Sequence, residues 1–223
     1  YDDPSHHHLY FGDETGSPGS VISFFSSALA PPGHAGPGQI VEIAFAVPPS
    51  SMVWWAQRLA NRDVAFGDPA QRFGQTVLPF RDMDGCGLAL VATPGVEALP
   101  GHAESDVPAE HAIRGLQGVT LWVARVAATA TALTGALGFE EEGRDGARHR
   151  FAAPDLPLGA VVDLHELGEH PAGQIGAGSI HHVAFRAANE DAQDLMALPL
   201  ARDLRIRVSE RKDRTYFRSV YFR

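Results

Sequence analysis

Along this chain apolar residues alternate with polar ones in short runs, and three of those runs are versions of one another. Gly38-Gln-Ile-Val-Glu-Ile-Ala-Phe45, Arg114-Gly-Leu-Gln-Gly-Val-Thr-Leu121 and Gly178-Ser-Ile-His-His-Val-Ala-Phe185 superimpose so that Glu42, Gly118 and His182 share one position. The alternation is that of a β-strand, whose side chains point in turn to opposite faces. Each run leads into a stretch of helical character and then into further short strands. A repeated supersecondary unit sets the organisation of a chain before any single residue does.

The first full copy predicts a strand at 39–46, then a helix opening behind Pro48-Pro49-Ser50, with Ser50 as N-cap, and running to about Asn61. Strands follow near 63–67, 75–81 and 87–92, the last two joined by the turn Asp82-Met-Asp-Gly85. The next copy predicts a strand at 115–123, an Ala/Thr-rich helix to about Ala136 stopped by Gly138, and strands near 147–151 and 158–164. The last predicts the His-bearing strand at 179–187, a helix from about Asn189 that Pro199 breaks or kinks, and strands near 204–209 and 216–222. Residues 7–12 and 20–26, split by the turn at 13–19, read as the back half of a further unit.

The expected organisation is the remainder of module one at 1–30, module two at 38–95, a linker at 96–112, module three at 113–168 and an incomplete module four at 176–223. The linker rests on Pro94, Pro100 and Pro108, which interrupt a stretch without apolar period. The fold class is α+β: repeated βαβββ modules form half-barrels that pair around a pocket, with mixed, mostly antiparallel sheets.

Bulk properties narrow the partners. At 223 residues and 44% hydrophobic, the chain can bury a sizeable core. A net charge of -9 without a Lys/Arg cluster argues against nucleic acid. The single Cys86 excludes an internal disulfide and suits a reducing compartment. No apolar run approaches the roughly 20 residues of a membrane span, and no signal-peptide pattern is present. The expectation is a soluble cytoplasmic protein without membrane contact, with a homo-oligomer left open. The chain opens at Tyr1 and ends inside an expected strand at Arg223, which reads as an internal part of a longer protein.

Five segments carry a resemblance: His8-Leu-Tyr-Phe-Gly-Asp-Glu-Thr-Gly-Ser-Pro-Gly19, Arg72-Phe-Gly-Gln75, Arg148-His-Arg150, Ile180-His-His182 and Asp213-Arg-Thr-Tyr-Phe-Arg-Ser-Val-Tyr-Phe222. With the repeat, they resemble the vicinal oxygen chelate superfamily of glyoxalases, bleomycin- and fosfomycin-resistance proteins and extradiol dioxygenases. Within it they are most similar to ring-cleaving dioxygenases of the hydroquinone 1,2-dioxygenase type. The resemblance implies Fe(II)-dependent, extradiol-type cleavage of a small hydroquinone- or catechol-like aromatic with O2, with Mn or Zn as alternative metals. It implies a metal held by two His and one Glu, of which His182 is one. The other His would precede Tyr1 and the Glu would follow Arg223. Residues 1–223 alone are then expected to bind iron weakly and to be inactive. The resemblance also places His181, Arg214 and Tyr221 in the catalytic pocket: His181 to orient substrate or ligand, Tyr221 to hydrogen-bond a substrate oxygen, Arg214 to stabilise developing negative charge.

Plainer readings stand beside these. Adjacent residues on a strand face opposite ways, so only one of His181 and His182 meets the metal. His181 is equally a satisfied structural histidine, Tyr221 a ladder aromatic, and Arg214 a solvated turn residue. Tyr216 and Phe217 are expected to pack. The strand bearing Tyr221 is expected beside the His182 strand, with both side chains facing one cavity. Glu42 and Asp163 are read as structural, because their partner positions, Ala89 and Gly118, supply no ligand; Glu42 is expected to face Ala89. No phosphate-binding loop or dinucleotide signature appears, and Cys86 lacks a sequence-adjacent His to activate it. Two rival functions remain: a glyoxalase-like metal isomerase or thiol transferase, and a metal-free aromatic-binding module.

Overall fold

The computed structural model describes residues 7–27, 29–102, 105–154, 156, 158–214 and 217–223. A hairpin of β1 (His8–Phe11) and β2 (Ile22–Phe25) opens the chain. Two successive βαβββ units follow. The first is β3 (Gln39–Val47), α1 (Met52–Asn61), β4 (Ala70–Arg72), β5 (Gln75–Arg81) and β6 (Gly87–Ala92). The second is β7 (Gly115–Val123), α2 (Val126–Gly135), β8 (Glu140–Asp145), β9 (Arg148–Ala152) and β10 (Val161–Glu166).

The two units share one curled sheet of eight strands, ordered β4-β5-β6-β3-β7-β10-β9-β8. Within each unit the opening strand pairs in parallel with the last, β3 with β6 and β7 with β10. The opening strands β3 and β7 pair antiparallel and join the halves. Ala44 opposes Ala89 and Thr120 opposes Asp163, so equivalent positions of the repeat meet equivalent partners.

Alternation divides the sheet's faces. Val47, Leu78 and Leu90 point to one side, where α1 brings Trp55 and Leu59. Phe151, Val162 and Leu164 do the same under α2 and its Leu133, joined by Leu200. Burying one such Leu or Val stabilises by about 1.5–3 kcal/mol. The opposite, concave side carries Ala44, Val77, Ala89 and Val91, and among these small residues sit Glu42, Arg72, Arg150 and Asp163. The sheet therefore hides its oily face under helices and encloses its charges.

Several expectations shift. Ser50 is not an N-cap: a 3-10 turn at Pro49–Ser51 precedes α1, and the Ser51 hydroxyl donates instead to the Glu110 carbonyl at 3.1 Å. The strand at 63–67 reduces to a bridge between Phe66 and Phe80, because the Val64 amide still bonds back to Leu59 as α1 ends. β8 escaped notice, since Glu140-Glu-Glu-Gly-Arg-Asp145 has no apolar alternation; its charges suit a sheet edge. β10 begins at Val161 because Gly159 still turns the chain at φ +66°. The proline-rich stretch before β7 is docked, not loose: Trp55 Nε1 donates to the His111 carbonyl at 2.8 Å.

The last third departs furthest. The predicted strand at 179–187 is a single bridge, Ile180 to Ile40, and residues 181–187 make no ladder. A strand exists only through bonds to a neighbour, and beyond Ile180 no described residue supplies them. α3 (Glu190–Arg202) follows, capped by the Asn189 side chain accepting from the Ala192 amide at 2.8 Å. Pro199 does not end it. It stands in the last turn, where its missing N–H leaves only the carbonyl of exposed Leu195 without a helical partner. The strands expected at 204–209 and 216–222 shrink to a Val208–Phe222 bridge and the short pair β11 (Lys212–Asp213) and β12 (Arg218–Ser219). Tyr216 lies outside the described residues.

Candidate functional site

Four residues singled out in the sequence, His181, His182, Arg214 and Tyr221, come together although they lie up to forty positions apart. The His182 and Tyr221 rings meet edge to face at 6.1 Å. Arg214 extends Nη2 to the Tyr221 hydroxyl at 3.4 Å, with its guanidinium 5.8 Å from the ring centre. His181 and His182 approach through their Nδ1 atoms, 3.0 Å apart. The Tyr221 backbone pairs with Ser209, not with the histidine segment: the Ser209 amide donates to the Tyr221 carbonyl at 2.8 Å. The side chains nevertheless converge.

The hairpin completes the cluster from the other end of the chain. Phe25 stands 6.0 Å from His181 and 6.5 Å from His182. Its ring stacks on His8 at 4.1 Å, and the His8 Nδ1 shares a 2.8 Å hydrogen bond with the Tyr10 hydroxyl. The segment bearing His8 was noticed in the sequence, but the residue was given no role. Only the pairing of His8 with Phe25 brings it to the site, and strand register is not written in either segment alone.

Electrostatics favour neutral imidazoles here. Packing desolvates His182 although the residue keeps exposed surface. That desolvation, reinforced by His181 and His8, holds its pKa below the ordinary 6.5. His8 is lowered by desolvation as well. A neutral imidazole is the form that binds a metal. The Tyr221 phenol is held below its usual 10.0 by the neighbouring Ser219 hydroxyl first, then by Arg214 and Lys212. Among the described residues, no group of three His, Cys, Asp or Glu is placed to hold a metal ion. His182 thus fits as one donor, and the described residues do not complete a cage.

Inside the sheet the carboxylates are engaged elsewhere. Glu42 accepts from Arg72 at 2.6 Å and from the Thr120 hydroxyl at 3.1 Å. Asp163 is gripped in bidentate fashion by Arg150, Nε at 2.8 Å and Nη2 at 2.9 Å, and Arg150 Nη1 donates to Gln75 at 2.7 Å. The expected facings move by two residues along the strand: Ala89 opposes Ala44 in place of Glu42, and Asp163 opposes Thr120 in place of Gly118. The arginines that engage these carboxylates were visible as motifs and were not paired with them. Cys86 is no nucleophile: burial, with Asp82 adding repulsion, pushes its thiol up to about 11.

Comparison with known proteins follows this geometry. No family model matches the chain. It is 36% identical over 225 residues to "Putative ring-cleaving dioxygenase MhqO" of Bacillus subtilis, covering 100% of this chain and 70% of that protein. It is 31% identical over 221 residues to the chlorohydroquinone/hydroquinone 1,2-dioxygenase of Sphingobium indicum, covering 97% and 69%. A crystal structure of a "putative dioxygenase" from B. subtilis superimposes with a TM-score of 0.85 at 34% identity, over 100% of this chain and 70% of that one. Glyoxalase I from Zea mays superimposes with a TM-score of 0.56 at 14% identity, over 93% and 71%, a likeness of fold alone. With the paired βαβββ units, these likenesses place the chain in the family of ring-cleaving dioxygenases on the glyoxalase-like, vicinal oxygen chelate fold.

Proposed function

We propose that this protein uses Fe(II) to cleave a hydroquinone- or catechol-like ring with O2 in the extradiol manner, with His182 as a metal ligand. The observation that carries the reading is the meeting of His182, Tyr221 and Arg214 around one point, with His181 beside them. The relatives' names support the compound class, hydroquinone in one and a cleaved ring in the others. When bound, a divalent iron would supply a Lewis-acid anchor for a phenolate oxygen and a place to activate O2.

The chain's own residues have separate tasks in this reading. His182 presents an unprotonated ring nitrogen. Tyr221, a phenol of lowered pKa, hydrogen-bonds a ring oxygen of the substrate. Arg214 keeps positive charge next to that phenol and stabilises the oxyanion. His181 shares a proton with its neighbour's Nδ1 or with a substrate hydroxyl, which positions the ring. Phe25 and His8 form an aromatic wall against which a flat substrate packs.

The test is oxygen uptake by the full-length protein, loaded anaerobically with Fe(II) and mixed with hydroquinone or catechol. Oxygen consumed in equal amount with ring loss is the expected result. Binding of the aromatic without oxygen uptake, unchanged by chelator, would favour the metal-free binding module. Isomerisation of a thiol adduct would favour the glyoxalase-like alternative.

A further inference from the structure

We propose that the open cavity on the concave side of the eight-stranded sheet is a second, non-catalytic binding site for a neutral, ring-hydroxylated aromatic. The cavity measures about 590 Å³, within the range of small-molecule sites. Phe73, Gln75, Gln117, Arg150 and Val161 line it.

Gln117 is the leading observation. The β3–β7 register steps from Ala44 opposite Gly118 to Phe45 opposite Leu116, so Gln117 has no partner across the ladder. Such a bulge re-aims a side chain, and this one is aimed into the cavity. The residue is only 7% exposed, yet its carboxamide makes no hydrogen bond to any described residue. Its amide opens onto the cavity, where water or a ligand can meet it. It both donates and accepts, which matches a ring hydroxyl.

Phe73 is the second observation. It holds φ at +50° and, with Gly74 at +75°, forms the two-residue turn of the β4–β5 hairpin, which calls for positive φ at both positions. Its amide is tied to Asp145 at 3.1 Å, and its ring lies 4.1 Å from the Arg150 guanidinium. The turn and these contacts together hold the residue in place. Here it sets an aromatic plane into the cavity wall.

Charge selects among ligands. Arg150 is occupied by Asp163 and Gln75 and offers no free cation. Glu140 and Glu142 also line the cavity and repel anions. Glu42 and Asp163, the carboxylates at the repeat's ligand positions, are ion-paired and not free to chelate. A ligand is therefore held here and not converted. The choice of ring-hydroxylated compounds rests on the function proposed above, whereas the cavity's geometry does not.

The test titrates hydroquinone, without O2, into full-length protein carrying His182→Ala, which disables the first site. Calorimetry or ligand-observed NMR is expected to show saturable one-to-one binding. Adding Gln117→Leu weakens it at least tenfold, Phe73→Leu weakens it also, and benzoate binds less well than hydroquinone. Thermal melts confirm that each variant is folded. No saturable binding in the His182→Ala protein, or an affinity unmoved by both further changes, would overturn the proposal. If binding depends on Gln117 while the wild-type protein consumes no O2 with hydroquinone, the cavity stands and the catalytic reading alone falls.

Discussion

The eight-stranded sheet and the histidine–aromatic cluster are built from the same repeated strand and solve opposite problems. In the sheet, the repeat position holds Glu42 and Gly118, the strand is paired on both edges, and each inward carboxylate has an arginine. In the cluster, the same position holds His182 on a segment with one bridge, among rings instead of ion pairs. The first region ties its inward carboxylates to arginines, and the second sets its histidines among rings. In the function proposed above, stability and chemistry occupy different copies of one unit, and the difference can be tested one copy at a time.

The largest expected effect breaks the sheet side. Asp163→Ala strands Arg150, a guanidinium whose side chain is only 7% exposed, and removing one partner of a buried pair costs about 3–5 kcal/mol. Denaturant unfolding of the variant should show that loss. A cost below about 1 kcal/mol would mean water reaches Arg150 freely and the pair is not enclosed.

Next come the cluster's supporting groups. Groups that support a ligated metal typically contribute about 10–100-fold to affinity or activity. Tyr221→Phe and Arg214→Ala should each slow turnover by roughly that factor while most of the metal stays bound. Loss of metal in step with turnover would make these residues ligands or scaffolding instead.

A pH effect sharpens the sheet side further. His165 is held below 6.5 by desolvation first, then by Arg148 and Arg72. The unfolded chain therefore takes up a proton before the folded one does as pH falls. Stability should drop as pH goes down from 6.5 to the lowered folded value, and level off below it. His165→Gln should flatten that part of the stability profile, and an unaltered slope would contradict the assignment. The smallest effect belongs to exposed Asp106, bonded to Arg58 and Arg62 at 2.7 and 2.6 Å. Asp106→Ala should move the same unfolding curves least of all, and a shift as large as that of Asp163→Ala would contradict this ranking.

What could be read from the sequence follows the same division. β3, β5, β6 and β7 lie within a residue of their predicted bounds, because buried strands read as short runs rich in Val, Leu, Ile and Ala bounded by turn residues. β8 was hidden, since an exposed edge rich in Glu carries no such period. The strand expected around His182 has the right alternation yet no ladder, because alternation reports faces and says nothing of who pairs. Of the cluster, His181, His182, Arg214 and Tyr221 were legible through family-like motifs. His8 and Phe25 needed the hairpin register, and Gln117 needed a bulge that only the observed pairing reveals.

The central claim is that chemistry resides in the His182 copy and not in the Glu42 copy. The most direct measurement sets His182→Ala beside Glu42→Gln in the full-length protein, comparing iron content and oxygen uptake with hydroquinone per folded molecule. The account predicts that His182→Ala loses bound iron and turnover together, whereas Glu42→Gln keeps both and loses only stability. Full activity after His182→Ala, or loss of iron after Glu42→Gln, would contradict it.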